Sequence, residues 1–315
     1  MHNGNLNKAK AAKNDEFYTR LEDIENELRH YTEHFKGKVV YCNCDDANRS
    51  NFFNYFSTNF QKLGLKKLIT SGLKIDATEN GTGVVAIQTG DDIDIYDGNG
   101  DFRSEECIEF LKEADIVVTN PPFSLFREYV AQLMQYGKKF LIIGSMNAIT
   151  YKEIFPYIKN NDLWVGYKSF SGGMNFYVNE ANYDASLEKQ KSKIIDGHIV
   201  KNIMGCCWFT NLEHKKRNEE LILYKHYNPT EYPKYENYNA IEVSKVAEIP
   251  MDYEGVMGVP ISFLDKYCPN QFRILGITEN ADYLKEIYIK GFAKYDRPYI
   301  NGKRMYSRLL IQKIN

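Results

Sequence analysis

Residues 115–123 read DIVVTNPPF, an apolar run followed at once by Asn120, two prolines and Phe123. Every residue of the run Ile116–Thr119 is β-branched, which predicts a short buried strand. Proline has no backbone N–H group and a fixed φ, so Pro121 and Pro122 end the strand. The sequence therefore places the polar side chain of Asn120 directly at the carboxyl end of a buried strand.

Predicted strands and helices alternate on both sides of this segment. Strands are predicted at 39–42, 67–70, 116–119 and 140–143, helices at 16–35, 51–60, 105–112 and 124–136, and a hairpin at 81–96. This order predicts a doubly wound, Rossmann-like α/β fold, a parallel sheet with helices on both faces. In such sheets ligands bind outside the carboxyl ends of the strands.

The pattern loosens after about residue 149. Further strands are predicted at 164–166, 176–178 and 206–209, a mobile loop at 184–197, an irregular connector at 227–238 and an α+β segment at 241–315. The domain organisation predicted from this pattern is a mobile tail at 1–13, a catalytic domain at 14–225 and a smaller recognition region at 226–315.

The charge of the chain is unevenly distributed. The net charge is −2 over 315 residues, yet residues 285–315 carry eight Lys and Arg against two acidic residues, which is +6 and leaves −8 on the rest. A basic end on an acidic body is a candidate contact for a polyanion such as nucleic acid. An ordinary solvated basic surface is the alternative on charge alone. Asn301-Gly302 is a hairpin turn signal that would present Lys303, Arg304 and Arg308 together.

Several classes of protein are disfavoured by the sequence. No apolar run of about 18 residues occurs, and the first 13 residues are polar, so neither a membrane span nor a secretion signal is expected. The six cysteines never form a C-x-x-C pair, which favours reduced thiols in a cytoplasmic protein without a metal site. No phosphate-binding G-x-x-x-x-G-K-[ST] motif is present.

The chemistry of residues 120–123 suits an exocyclic amino group. The Asn120 amide oxygen and the Pro121 carbonyl are two hydrogen-bond acceptors, and Phe123 offers a flat face for stacking. Two accepted hydrogen bonds would localise the lone pair of an adenine amino group for attack on a sulfonium methyl group. The alternative is an ordinary strand that ends at a proline turn.

Taken together, the motifs resemble those of the adenine-specific DNA methyltransferases of the EcoRI type. The stretches that carry the resemblance are DEFYT (15–19), DIENEL (23–28), VVYCNCDD (39–46), DIVVTNPPFSLFREY (115–129), KKFLIIG (138–144) and GVMGVPISFL (255–264). The Asn-Pro-Pro-Phe box alone is typical of amino methyltransferases in general, whereas the surrounding blocks narrow the match.

The resemblance implies S-adenosyl-L-methionine as cofactor and assigns residues to it. The implied cofactor-binding residues are Phe17, Tyr18, Thr19, Asn43, Asp45, Asp46, Asp101 and Phe102, and the implied catalytic residues are Asn120, Pro121, Pro122 and Phe123. The usual Gly-x-Gly turn after the first strand is missing, and no acidic residue for the ribose is assigned. The second aromatic residue that would stack on the target base stays open among Phe170, Phe176, Tyr177 and Trp208.

The resemblance also implies an activity: adenine N6-methylation of double-stranded DNA by a monomeric, cytoplasmic modification enzyme of a restriction-modification system. The target base would be extruded from the duplex, because adenine N6 is hidden in the stack. If the resemblance extends to specificity, GAATTC is the first site to test. Methylation of ribosomal RNA or of a protein glutamine, and a DNA-binding relative without catalysis, are the alternatives.

Overall fold

The structure is a computed structural model. It describes residues 18–74, 82–170, 172–177, 192–195, 198–278, 280, 284–289 and 297–314. The predicted tail at 1–13, Phe17, and residues 184–191 of the predicted loop lie outside the described residues.

Seven α-helices are present in the described part of the chain. They are α1 (Leu21–Leu28), α2 (Thr32–Phe35), α3 (Asn51–Thr58), α4 (Phe60–Leu63), α5 (Glu105–Glu113), α6 (Phe126–Gln135) and α7 (Phe155–Lys159). The strands are β1 (Tyr18–Thr19), β2 (Val39–Asn43), β3 (Lys67–Leu73), β4 (Thr82–Thr89), β5 (Asp92–Asn99), β6 (Ile116–Thr119), β7 (Lys139–Ser145), β8 (Trp164–Val165), β9 (Met174–Tyr177), β10 (Ser192–Ile195), β11 (His198–Ile203), β12 (Cys206–Thr210), β13 (Ile241–Glu242), β14 (Met257–Val259), β15 (Phe272–Ile277), β16 (Tyr299–Ile300), β17 (Lys303–Arg304) and β18 (Leu309–Lys313).

The largest sheet has eight strands in the order β5-β4-β3-β2-β6-β7-β12-β8. Its centre is parallel, since β2 pairs in parallel with β3 and β6, and β6 with β7. The hairpin β4–β5 and strand β12 are antiparallel additions, so the sheet is mixed where an all-parallel one was predicted. The parallel centre, the hairpin and the strand at 116–119 confirm the sequence prediction, and the carboxyl ends of β2, β3 and β6 lie at one edge.

Helices cover both faces of this sheet, as the near-continuous burial of β2 requires. Val40 and Cys42 belong to a core that also contains buried side chains of α1 and α3. Tyr41, which alternates with them, points to the opposite face and makes an edge contact with Phe110 of α5, the ring centroids 6.0 Å apart.

Two segments predicted from the sequence have a different structure. The helix predicted over 16–35 is replaced in its described part by strand β1 and by helices α1 and α2, which are separated at Arg29–Tyr31. The loop predicted at 184–197 contains strand β10. Both strands belong to a second sheet of order β1-β9-β11-β10, so pairing with β9 and β11 sets their conformation rather than local composition.

The chain divides into two compact units. The first comprises the residues up to Ile149 together with Val165–Glu213, and the second comprises Thr150–Trp164 and the residues from His214 onward. The second unit therefore includes a segment that the sequence assigned to the catalytic region. Its described residues beyond 241 form β-strands and 3-10 helices without an α-helix, so the predicted α+β class is not confirmed there. In the described part of the chain no helix is long and apolar enough to cross a membrane.

Candidate active site

An open cavity, whose space of about 900 Å³ includes solvent at its mouth, lies at the carboxyl edge of the large sheet. The lining residues are Tyr18, Thr19, Cys44, Asp45, Asp46, Ser50, Asn51, Phe52, Leu73, Gly100, Asp101, Phe102, Arg103, Asn120, Pro122 and Leu125. The structure thus brings together eight of the twelve residues that the sequence assigned, although they come from four separate stretches of the chain.

Close packing of glycine backbones holds two of these stretches, 45–46 and 101–102, together. A Cβ atom on Gly72 would lie 2.4 Å from the Asp46 nitrogen, and one on Gly100 would lie 2.3 Å from the Gly72 carbonyl group. A Cβ on Gly83 would in turn meet the Gly100 backbone at 2.4 Å. Only glycine permits such approaches, so these residues fix where Asp45 and Asp101 stand.

The loop after β2 takes an unusual conformation where a Gly-x-Gly turn was expected. Cys44 has φ +152°, a region that favours glycine, and its N–H donates to the Ser71 carbonyl at 2.8 Å. Backbone strain of this kind is concentrated at ligand sites. A strained residue therefore stands where glycines were expected, and Asp45 and Asp46, which follow it, line the cavity.

Asp45 is buried at the back of the cavity and makes hydrogen bonds to two hydroxyl groups. Its Oδ1 accepts from Ser50 Oγ at 2.8 Å and its Oδ2 accepts from Thr119 Oγ1. Among the described residues no Lys, Arg or His pairs with this carboxylate, and burial raises the pKa of Asp45 to about 6. Thr119 immediately precedes Asn120, so Asp45 links the exits of β2 and β6.

Asp46 keeps a more open position than Asp45. Its Oδ1 accepts from the Asn48 N–H at 2.9 Å, and the side chain is half-buried on the cavity wall. Asn43, by contrast, does not line the cavity. It is buried, and its Oδ1 accepts from the Tyr129 hydroxyl, whose ring packs edge-on against Phe102 with centroids 5.1 Å apart. Asn43 therefore supports the wall instead of facing a ligand.

Asp101 and Phe102 lie on the cavity wall, as predicted. The Asp101 carboxylate is held by Arg103, with Nη2 at 2.6 Å from Oδ2 and Nε at 2.9 Å from Oδ1. These hydrogen bonds lower the pKa of Asp101. Phe102 is buried and its ring contacts Tyr129. An ionised acceptor beside an aromatic ring suits an aromatic ligand that carries an amino group.

The Asn-Pro-Pro-Phe box follows β6 as the sequence requires. Asn120 lines the cavity with a buried amide oxygen. The Pro122 carbonyl accepts from the Leu125 N–H at 3.0 Å and starts a 3-10 helix, whereas within the described residues no group donates to the carbonyl of Pro121. Phe123 is half-buried against the main core and does not line this cavity.

Tyr18 and Thr19 form the opposite wall of the cavity. They pair with Tyr177 and Phe176 of β9, and the Thr19 carbonyl accepts from Asn51 Nδ2 at 2.8 Å. The Thr19 hydroxyl is buried and makes no hydrogen bond within the described residues. A buried hydroxyl without a partner, facing a cavity, is suited to a bound ligand.

The four candidates for the second stacking aromatic residue differ in solvent exposure. Phe176 and Trp208 are fully buried core residues and Phe170 is nearly so. Tyr177 is half-buried, and its ring lies 5.2 Å from that of His198. Among the four candidates, only Tyr177 retains appreciable exposure in this structure.

Sequence reasoning missed several lining residues, and some of them had a signal. Ser50 caps α3 by accepting from the N–H groups of Phe52 at 3.0 Å and Phe53 at 3.3 Å, and a serine before an aromatic helix is a recognisable cap. Arg103, two residues after Asp101, could have been noted as a charge partner. Leu73 and Leu125 had no signal, because only the pairing of β3 and the 3-10 turn bring them to the cavity.

No cluster of three or more His, Cys, Asp or Glu side chains that could hold a metal ion occurs in the part of the chain that the structure describes. The arrangement instead combines carboxylates, hydroxyl groups and aromatic rings. Such a set can accept hydrogen bonds from an amino group, stack on a planar ring and attract a cation.

Comparisons with known proteins show which family the sequence is similar to. The sequence model of the family described as "Adenine-specific methyltransferase EcoRI" matches residues 5–314. The chain is 46% identical to the Type II methyltransferase M.EcoRI of Escherichia coli, over 95% of this chain and 97% of that protein. It is 42% identical to a Type II methyltransferase of Mycoplasma genitalium, over 99% of each chain, and 41% identical to the Type II methyltransferase M.MpnI of Mycoplasma pneumoniae, over 98% of each chain. No solved structure matches the chain.

Proposed function

The chain belongs to the EcoRI family of adenine-specific methyltransferases, and we propose that it methylates N6 of a specific adenine in double-stranded DNA as the modification enzyme of a type II restriction-modification system. Family membership implies a methyl donor of the S-adenosylmethionine type. The type II names of relatives that are matched over nearly their whole length support the DNA substrate and the biological role.

The observation that carries the proposal is the convergence on one cavity. Asn120 of the Asn-Pro-Pro-Phe box, Asp45 and Asp46 after β2, and Asp101-Phe102 after β5 all line it. The strands β2 and β6 end at the same sheet edge, because they pair in parallel. The acceptors for a target amino group therefore lie beside a site that suits a cofactor.

The residues of this cavity fit S-adenosyl-L-methionine. The Asp45 carboxylate lacks a cationic partner among the described residues, and the Thr19 hydroxyl lacks a hydrogen-bond partner there. Asp101 and Phe102 provide an acceptor and a ring for the cofactor adenine, while Asp45, Asp46, Tyr18 and Thr19 stand where the methionine end would be held. When bound, the cofactor supplies an electrophilic methyl group on a sulfonium ion.

The catalytic contribution of the chain is to present the target nitrogen. The Asn120 amide oxygen and the Pro121 carbonyl accept the two hydrogens of the adenine amino group, which localises the nitrogen lone pair. These interactions strengthen as the nitrogen becomes more positive in the transition state. Phe123 stacks on the extruded base in this proposal, and Tyr177 is the candidate for the opposite face.

The second unit supplies a basic hairpin for the DNA backbone. Strands β16 and β17 pair across Asn301-Gly302, both at positive φ, and Lys303 and Arg304 are exposed. The hairpin is anchored by Asn237, whose Oδ1 accepts from the Tyr299 N–H at 3.0 Å. Arg308 was expected beside them, but it is buried against Glu242, so that expectation is wrong.

The test is transfer of labelled methyl from S-adenosyl-L-methionine to duplex DNA, RNA and protein side by side. We expect label in duplex DNA, first in a GAATTC duplex, and then at whichever site sequencing of methylated adenines in a random duplex library identifies. Label confined to RNA or protein would overturn the proposal in favour of the corresponding alternative. Specific DNA binding without any label would indicate a relative that has lost catalysis.

A further inference from the structure

Arg103 is a cavity residue to which neither the sequence motifs nor the family description gives a role. Its guanidinium group makes a two-point contact with Asp101 and lies 3.8 Å from the Glu128 carboxylate through Nη1. A guanidinium group held between two carboxylates has its orientation fixed by both. The same contacts determine which oxygen of Asp101 can accept a further hydrogen bond.

The hydrogen bonds to Asp101 differ between its two oxygens. Oδ1 accepts from the Arg103 N–H at 3.0 Å and from Arg103 Nε at 2.9 Å, whereas among the described residues Oδ2 accepts only from Nη2 at 2.6 Å. Because each carboxylate oxygen can accept about two hydrogen bonds, Oδ1 is saturated and Oδ2 retains one acceptor position. Arg103 thereby selects a single oxygen of Asp101 for a further donor.

Three residues of helix α6 contact the 101–103 segment. Gln132 Nε2 donates to the Phe102 carbonyl at 3.2 Å, and Tyr129 contacts the Phe102 ring. Glu128, on the same helix, is the second carboxylate near Arg103. Since α6 begins three residues after the Asn-Pro-Pro-Phe box, one rigid helix connects the catalytic box with the 101–103 segment.

We propose that Arg103 is a positioning residue for the cofactor: its two-point contact orients the Asp101 carboxylate and directs Oδ2 at the amino group of the cofactor adenine. The inference rests on the proposed function, in which Asp101 faces that adenine. Arg103 acts on recognition of the adenine and not on methyl transfer, because its polar contacts within the described residues are with Asp101 and Glu128.

The experiment is calorimetric titration of the full-length protein with S-adenosylhomocysteine and with its 6-deamino analogue, in which purine replaces adenine. Arg103→Gln should weaken binding of the adenine compound about tenfold, the size of a lost hydrogen bond. Binding of the purine compound should change less than twofold. Arg103→Lys keeps the charge without the two-point contact and should weaken adenine binding about threefold.

Kinetics provide a second measurement. In Arg103→Gln the KM for S-adenosylmethionine should rise about tenfold while kcat stays within twofold of the wild type. The matched control is Lys112→Gln, which removes one positive charge from an exposed ion pair with Glu109 on α5, away from the cavity lining. That variant should bind both compounds like the wild type.

Three results would overturn the inference. Equal weakening of adenine and purine compounds would assign Arg103 a general structural role, and tighter binding would mean that Arg103 competes with the cofactor for Asp101. Unchanged affinity for both compounds would show that Arg103 has no role in cofactor binding. Failure of the proposed function is distinguishable: label confined to RNA or protein would overturn the DNA substrate while the wild type still bound S-adenosylhomocysteine, whereas a wild type that does not bind this compound would remove the cofactor site itself.

Discussion

Glu242 in the second unit and Asp45 in the first are both buried carboxylates, but their partners differ. Glu242 in the second unit forms a two-point ion pair with Arg308, Nη2 to Oε1 at 2.7 Å and Nε to Oε2 at 3.1 Å, and also accepts from Tyr235. The Asp45 carboxylate in the first unit accepts, among the described residues, only from the hydroxyl groups of Ser50 and Thr119. Burying a charge without a counter-ion costs free energy, which indicates that Glu242 and Asp45 have different roles.

Glu242 therefore contributes to folding, whereas Asp45 is suited to binding a ligand. Glu242 and Arg308 satisfy each other, so nothing at that site calls for an additional cation. Asp45 lines the cavity, and burial raises its pKa to about 6, so its ionised form is less favourable there than in water and a positive ligand would stabilise it. A bound sulfonium or ammonium group would provide that charge. Four predictions test this contrast, ordered from the largest expected effect.

The largest effect is expected in the second unit. Glu242→Gln leaves Arg308 buried without a counter-ion, so the free energy of unfolding should fall by about 3–5 kcal/mol. Urea denaturation followed by circular dichroism measures this. The control Glu248→Gln removes an exposed partner of Lys245 and should cost less than about 1 kcal/mol.

A double variant sharpens the interpretation of that loss. Glu242→Leu with Arg308→Met removes both charges and should recover most of the stability, since apolar pairs often replace buried ion pairs without loss. Methyl transfer by the folded fraction of Glu242→Gln should match that of the wild type. A loss of activity larger than the unfolded fraction would show that Glu242 also serves the active site.

The second prediction concerns the catalytic box. Asn120→Ala should lower kcat at least about a hundredfold, the effect of removing one preorganised transition-state hydrogen bond, while cofactor affinity stays within a few fold. Single-turnover methylation of a duplex, together with calorimetric titration of the cofactor, measures both quantities. Retention of most wild-type activity would remove Asn120 from the assigned role.

The third prediction concerns Asp45 itself. Asp45→Asn should weaken cofactor binding about tenfold without lowering stability at neutral pH, the reverse of Glu242→Gln. The pKa of Asp45 is raised from 3.8 to about 6, so the folded wild type holds this proton more tightly than the unfolded chain. Stability from this group is therefore present at low pH and lost as the pH rises through about 6.

This linkage predicts a pH-dependent difference between the variant and the wild type. The unfolding free energy of Asp45→Asn minus that of the wild type should rise between about pH 4 and pH 6, by up to roughly 3 kcal/mol, and stay constant above that range. Urea denaturation at pH 4.5, 5.5 and 7 measures the difference. A difference that is independent of pH would mean that Asp45 has an ordinary pKa and no unmet need for a cation.

The smallest effect is expected at the basic hairpin. Replacing Lys303 and Arg304 by Ala removes two proposed phosphate contacts, so the slope of log K against log salt for duplex binding should become shallower by about 2. A matched control replaces Lys245 and Lys266, two exposed lysines of the same unit. An equal change in both double variants would reflect net charge alone. A loss confined to the preferred site would instead assign base contacts to the hairpin.

Local signals predicted a large part of the first unit. The β-branched run 116–119 and the two prolines that follow it specify a strand and its end without help from the rest of the chain, and the structure has that strand at Ile116–Thr119. The Asn301-Gly302 turn was equally predictable, because few residues other than Asn and Gly accept its positive φ values. Residues 120–122 were found because they directly follow the strand Ile116–Thr119, whereas residues 101–102 were assigned only through the resemblance to the EcoRI-type methyltransferases.

Other features depend on distant parts of the chain. Arg308 follows the hairpin in sequence and was expected with its basic residues, but the buried Glu242, 66 residues away, pairs with it. Trp164, at the end of the segment Thr150–Trp164 of the second unit, likewise packs against the distant Arg217, whose guanidinium lies 3.9 Å from its ring centroid. Neither contact leaves a periodic pattern in the sequence.

The sequence by itself determined the order of the strands and helices, the polar residues at the strand ends and the family, because these depend on short-range propensity and on motifs within a few residues. The tertiary structure decided which of those residues share a cavity. The close contacts at Gly72, Gly83 and Gly100 join stretches that are far apart in the chain, and the conformation of Cys44 replaces an expected glycine turn. Such contacts depend on the absence of a side chain where two backbones meet, and no local pattern records that meeting.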